Sequence, residues 1–181
     1  MAEERAPTRD EWLARLAAGE SVRGELLARI APAFARLMDI VEHADEAALV
    51  PAPAGAWSAR DHLHHLASWE RKVAAQATSE PIPPALGISN VVWNGGEIDA
   101  INAAVQALGR ATPGRTVIAA LREAHARTVA TIEGLAEEAL LEPGYPDEPG
   151  SAMLLYFFAG NTFLHYAEHL PEIEGLLKAP A

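Results

Sequence analysis

Two imidazoles, His165 and His169, stand four residues apart in the run Asn161-Thr162-Phe163-Leu164-His165-Tyr166-Ala167-Glu168-His169. In a helix this spacing stacks both rings on one face, about 6 Å apart, close enough to share a metal ion. A second group, His62, His64 and His65, falls in another helical segment, and packing of the two segments would bring three imidazoles together. Three neutral imidazoles leave coordination positions open on a divalent ion, where a water or thiol loses its proton near neutrality. The pair also has a plainer reading, in which His165 is a core histidine bonded to a carbonyl and His169 meets solvent near the helix end. Spacing alone leaves both readings open.

The second group does not select its own ligand. Leu66, Trp69 and Val73 define an apolar stripe; His62 lies within it, His65 sits at its edge beside Trp69, and His64 points away. Burial favours His62, whereas a ligand at the rim of a substrate-accessible cleft favours His65. His64 and His43 read as surface, and His125 has no partner visible in the sequence. Glu70 follows Trp69 and Glu168 precedes His169, so each is a candidate orienter or general base. A solvated helix position is the alternative for both. The chain has no cysteine, hence no disulfide framework and no thiolate, and any metal must be held by His, Asp or Glu.

Long helices must position these groups. A short leading helix starts at Thr8, with Glu11 closing a capping box, and ends near Gly19, docking through Trp12, Leu13 and Leu16. The first long helix spans Glu20 to Ala44, with Leu26, Ile30, Phe34, Leu37 and Val41 at helical spacing and Pro32 kinking or dividing it. After a loop rich in proline, Ser58 caps a second helix that carries the histidine group to about Thr78. The stretch from Glu80 to Asn94 holds Pro81, Pro83, Pro84 and Gly87 and reads as a crossover, with one short helix from about Gly96 to Leu108 inside the connection.

A third long helix runs from near Pro113 to Leu135, and a fourth from Ser151 to about Leu177 carries His165, His169 and Glu172. No segment alternates with period two, so no strand is predicted. Residues 44–51 echo residues 136–143 in type, and each stretch links two long helices. The expectation is an all-α four-helix bundle over residues 20–181, two hairpins joined by a long crossover, preceded by an N-terminal extension, 1–19, with a short helix. In such bundles, sites are built from inward side chains on facing helices.

At 181 residues the chain fits one domain with a substantial core. No apolar run reaches membrane-spanning length, and the N-terminus Met1-Ala2-Glu3-Glu4 is acidic where a secretory signal would be basic, which points to a cytoplasmic protein. Fourteen basic residues against 25 acidic ones give a formal net charge of −11, and the basic residues are scattered singly. Nucleic acid and anionic membranes are therefore poor partners. A small-molecule substrate is the expected ligand, and the apolar patch of a small bundle suggests a homodimer.

Four groups of residues together resemble the ClbS/DfsB branch of the DinB-like superfamily. They are Trp57-Ser58-Ala59-Arg60-Asp61; His65-Leu66-Ala67-Ser68-Trp69-Glu70; Trp93-Asn94 with Asp99 and Asn102; and Asn161-Thr162 with His165-Tyr166 and Glu168-His169. The resemblance covers about residues 20 to 177. It implies an up-down-down-up four-helix bundle, often dimeric, in which three histidines hold a divalent metal such as zinc or nickel. By position these are His65, His165 and His169. Trp69, Asn161, Thr162 and Tyr166 would line the cleft, with Trp93 and Asn94 covering it, and Glu70 and Glu168 would be the catalytic candidates. Relatives include transferases and isomerases that use a low-molecular-weight thiol, and a self-resistance hydrolase of an electrophilic toxin. The resemblance thus implies a metal-dependent detoxification or thiol-transfer enzyme. A metal-independent hydrolase and a non-catalytic binder that sequesters an electrophilic metabolite are the alternatives.

Overall fold

The computed structural model describes residues 8–44, 46–49, 52, 56–148 and 150–178. Among these the chain is all-helical, with no strand beyond an isolated antiparallel bridge between Pro143 and Met153. Helix α1 (Arg9–Ala17) opens on Thr8, whose side chain and that of Glu11 form a reciprocal capping box. Its Trp12 is buried and donates its indole N–H to the Tyr156 hydroxyl. Helix α2 (Val22–Glu42) is capped by Ser21 and runs through Pro32 as one helix, so of the two expected effects of the proline, a kink or a division, the division does not occur. An interior proline costs about 3 kcal/mol locally. The stripe of Val22, Leu26, Ile30, Leu37, Met38 and Val41 stays buried on both sides of it, so tertiary packing carries the helix across.

Ser58 starts α3 (Ala59–Ala77) with a second capping box: its hydroxyl accepts from the Asp61 amide at 3.1 Å, and the Asp61 carboxylate accepts from the Ser58 amide at 2.9 Å. The connection that follows holds three helices where one was expected: α4 (Ile82–Leu86), α5 (Asn90–Asn94) and α6 (Ile98–Ala111). The proline cluster that reads as a helix breaker lies in the first turn of α4, where proline's missing N–H has no intrahelical acceptor to lose. Gly87, at φ 75°, ends that turn.

Helix α7 (Gly114–Gly134) matches its predicted span within a residue at each end. The predicted fourth helix is two: α8 (Leu154–Asn161) and α9 (Phe163–Lys178). Between them Thr162 leaves helical geometry at φ −126°, ψ −109°. Its hydroxyl donates to the Phe158 carbonyl at 2.6 Å, and Asn161 donates its side-chain N–H to the Phe157 carbonyl at 2.7 Å. Side chains that bond carbonyls one turn back compete with the backbone ladder and bend helices.

Helix α3 is the central element, packed against α4, α6, α7, α8 and α9. Two apolar clusters lie along it. One joins α2, α3, α7 and α9 around Leu37, Leu63, Leu66, Leu121 and Tyr166; the other joins α1, α2 and α8 around Ile30, Val73 and Phe158. His64, expected at the surface, is buried against α6, where Gly109 allows the close approach. A Cβ on Gly109 would lie 2.9 Å from the His64 Cβ. Gly109→Ala should therefore lower stability: overpacking costs about 1–3 kcal/mol, more than the roughly 0.5–1 kcal/mol that alanine gains over glycine within a helix. Gly134→Ala, which meets nothing within 4 Å, should raise stability by about 0.5–1 kcal/mol. Urea unfolding of the two variants checks both signs; a neutral Gly109→Ala would mean that the α3/α6 contact is not tight.

Candidate metal centre

His65 reaches from α3 across to α9, where His165 and His169 sit one turn apart. The His65 and His165 Nε2 atoms are 3.0 Å apart, and the ring centroids of the three histidines lie 4.7–4.9 Å from one another. One nitrogen from each lies within 4.8 Å of the other two. Two nitrogens bound to one zinc at about 2.1 Å stand no more than about 4.2 Å apart, so small ring movements bring the set to coordination distance. Burial, reinforced by the neighbouring imidazoles, pushes the His65 pKa down to about 2 and that of His165 to about 3; burial also lowers that of His169. All three are neutral at pH 7, as ligation requires. The donor set fits a borderline divalent cation such as zinc or nickel.

The histidines open onto a cleft of about 460 Å³. Trp57 and Trp69 wall it on the α3 side, Ile98 and Asn102 come from α6, and Glu168 and Glu172 stand at the α9 side. The Trp69 indole N–H donates to the Asn102 side-chain oxygen at 3.2 Å, which fixes that wall. Among the described residues no lysine or arginine lines the cleft.

Of the residues expected there, Trp69, Asn161 and Glu168 line the cleft along with the histidines. Five others lie elsewhere. Tyr166 and Thr162 are buried. Thr162, at the break between α8 and α9, donates its hydroxyl to the Phe158 carbonyl, and Tyr166 is turned from His165 by the 100° that separates consecutive residues. Glu70 is turned from Trp69 in the same way and is fully buried. The Tyr166 hydroxyl donates to the Glu70 carboxylate, and His125 of α7 lies 3.1 Å from that hydroxyl with the Phe34 ring stacked on it at 3.5 Å. Burial raises the pKa of both Glu70 and Tyr166. This network ties α2, α3, α7 and α9 together inside the core, so Glu70 is not a base for the cleft. Trp93 packs on the cluster of Leu86, Ile101 and Val105, and Asn94 is exposed at the end of α5; neither covers the cleft.

The candidates that sequence reasoning left out are Trp57, Ile98, Asn102 and Glu172. Glu172 had a signal, three residues beyond His169 on the same face. Trp57 and Asn102 stood among the residues that carry the resemblance, without a role in the cleft, and helical spacing could not place Trp57 because it precedes its helix. His62, the competing ligand, is buried with its Nδ1 3.0 Å from the His169 Nδ1 and its Nε2 3.3 Å from Glu172. His62, His169 and Glu172 form a second set of donor atoms within 4.8 Å of one another.

Residues 28–173 match the DinB superfamily, and the chain belongs to it. Among solved structures it is similar to an uncharacterised protein from Escherichia coli UTI89, at 17% identity and a TM-score of 0.67, over 88% of this chain and 94% of that one. That likeness is one of fold. No curated protein matches the sequence.

The depressed histidine pKa values make stability depend on pH. As pH falls below 6.5 the unfolded chain protonates these rings, while in the fold His165 stays neutral to about 3 and His65 to about 2. The unfolded state then binds more protons, and the metal-free protein loses about 1.4 kcal/mol per pH unit for each such histidine. His165→Gln should flatten the decline between pH 6 and 5 by about one histidine's share, as read by urea unfolding at each pH. An unchanged slope would mean that His165 is not held neutral.

Proposed function

We propose that this protein is a metal-dependent enzyme of small-molecule detoxification or thiol transfer, on an up-down-down-up four-helix bundle of the ClbS/DfsB branch. The observation that carries the reading is the set of three neutral imidazoles, one from α3 and two from α9, facing one another at an open cleft. His65, His165 and His169 are its metal ligands, and zinc or nickel is the ion that suits three nitrogen donors with positions left over. When bound, the ion supplies a Lewis acid that draws the pKa of a coordinated water or thiol toward neutrality.

The chain's own residues do the rest. Trp57 and Trp69 hold an apolar or planar part of the substrate, Asn102 and Asn161 orient its polar groups, and Glu168, beside His169 at the cleft, accepts the proton. The acidic side of the cleft, with no lysine or arginine among the described residues that line it, favours an uncharged or cationic electrophile over a phosphorylated one. A low-molecular-weight thiol fits as co-substrate on the same grounds if it carries little negative charge. Exposed Val91, Ile98 and Leu164 favour a homodimer. No helix among the described residues is long and apolar enough to cross a membrane, in keeping with a cytoplasmic role.

Metal analysis of untagged protein tests the reading. Wild-type protein should carry about one zinc or nickel per chain and His165→Ala essentially none, with helical content retained by circular dichroism. Metal content unchanged by the substitution would sink the proposal. Wild-type protein that takes up no metal would favour the sequestration reading.

A further inference from the structure

We infer that His62, backed by Glu172, is a positioning residue that fixes the ring of His169 with its Nε2 lone pair toward the cleft; this rests on the metal reading of His65, His165 and His169. The contacts favour one neutral arrangement. The anionic Glu172 carboxylate lies at an ion-pair distance of 3.3 Å from the His62 Nε2, and its charge draws the ring proton to that nitrogen. A neutral imidazole holds one ring proton, which leaves the His62 Nδ1 bare. That bare nitrogen, 3.0 Å from the His169 Nδ1, accepts the His169 Nδ1–H. The His169 Nε2 then keeps its lone pair. The proton order along the chain follows from the carboxylate at its outer end.

The other two ligands are held differently. The Nδ1 atoms of His65 and His165 are buried and have no hydrogen-bond partner among the described residues. Packing orients the His65 ring, between Trp57 at 5.2 Å and Trp69 at 6.0 Å. Metal-binding histidines ordinarily donate their second ring N–H to an acceptor that sets tautomer and orientation, and His169 is the one ligand of the three for which such an acceptor is in place. His62 is itself well seated, 4% exposed with its ring against Trp57 at 5.1 Å. The same contacts decide between two roles for His62. His62 has a carboxylate beside its Nε2 to hold the ring proton there, whereas the Nε2 atoms of the ligands His65 and His165 face each other.

Two measurements test the relay. Long-range nitrogen–proton NMR on the metal-free wild type should find His169 in the Nδ1–H form, shifting toward Nε2–H in His62→Leu. In competition titrations with a chromogenic chelator, His62→Leu should bind one zinc per chain about 10–100-fold more weakly. His62→Asn, whose amide oxygen can accept where the His62 Nδ1 does, should recover most of that loss, which a merely structural role would not. A wild-type His169 in the Nε2–H form would overturn the relay, as would His62→Leu binding zinc as tightly as wild type. Two zinc ions per wild-type chain, one of them lost in His62→Leu, would make His62 a ligand and also overturn it. Wild-type protein that takes up no zinc yet keeps the Nδ1–H form would defeat the metal reading alone and leave the relay supported.

Discussion

The structure turns on one constraint: the helix at its centre is not apolar. A helix surrounded by others would ordinarily be hydrophobic all round, yet α3 buries Asp61, His62, His64, His65, Ser68, Glu70 and Lys72. A buried polar group without a partner costs roughly 1–3 kcal/mol, so neighbouring elements must bring partners to it. Helix α9 meets His62 and His65 with His169 and His165, and its Tyr166 meets Glu70. Lys72 is bonded by Gln76 and enclosed by the rings of Trp69, Tyr145 and Phe157, and burial pushes its pKa down to about 8. The positions of α9, α7 and the loop before α8 are thus bound to the polar pattern of α3 as much as to its leucines.

That pattern explains what could be read in advance and what could not. Apolar periodicity located α2, α3 and α7 because each keeps a continuous buried stripe, and the capping signals at Thr8 and Ser58 both form. The histidine pair was legible for the same reason, since i, i+4 spacing fixes a shared face whatever the helix packs against. Periodicity failed on the facing of α3, where it sent His64 to solvent, and adjacency to Trp69 was no guide to Glu70, which is buried in the core. A polar residue carries no mark of which side of a central helix will be buried; that depends on a glycine in α6 and a tyrosine in α9, distant in sequence. The proline cluster before α5 was misread because proline at a helix start and proline in a loop look alike until the first turn is located.

The interruption at Thr162 has a consequence for the cleft that a continuous fourth helix would lack. Helix α8 must bury Leu154, Leu155 and Phe158 in the cluster around Val73, while α9 must bury Tyr166, Leu170 and Ile173 in the cluster around Leu66. One straight helix would hold both apolar sets in a single phase. With the break, α9 takes its own direction, set by Tyr166 against Glu70 and His125, and its register then fixes which way His165 and His169 face. Tyr166 lies next to His165 in sequence, so the hydrogen bonds that lock it in the core also lock the angle at which the imidazole enters the cleft. The network around Glu70 is in this sense the far side of the histidine site: it touches nothing in the cleft, and it sets the rotation of the helix that supplies two of the three rings.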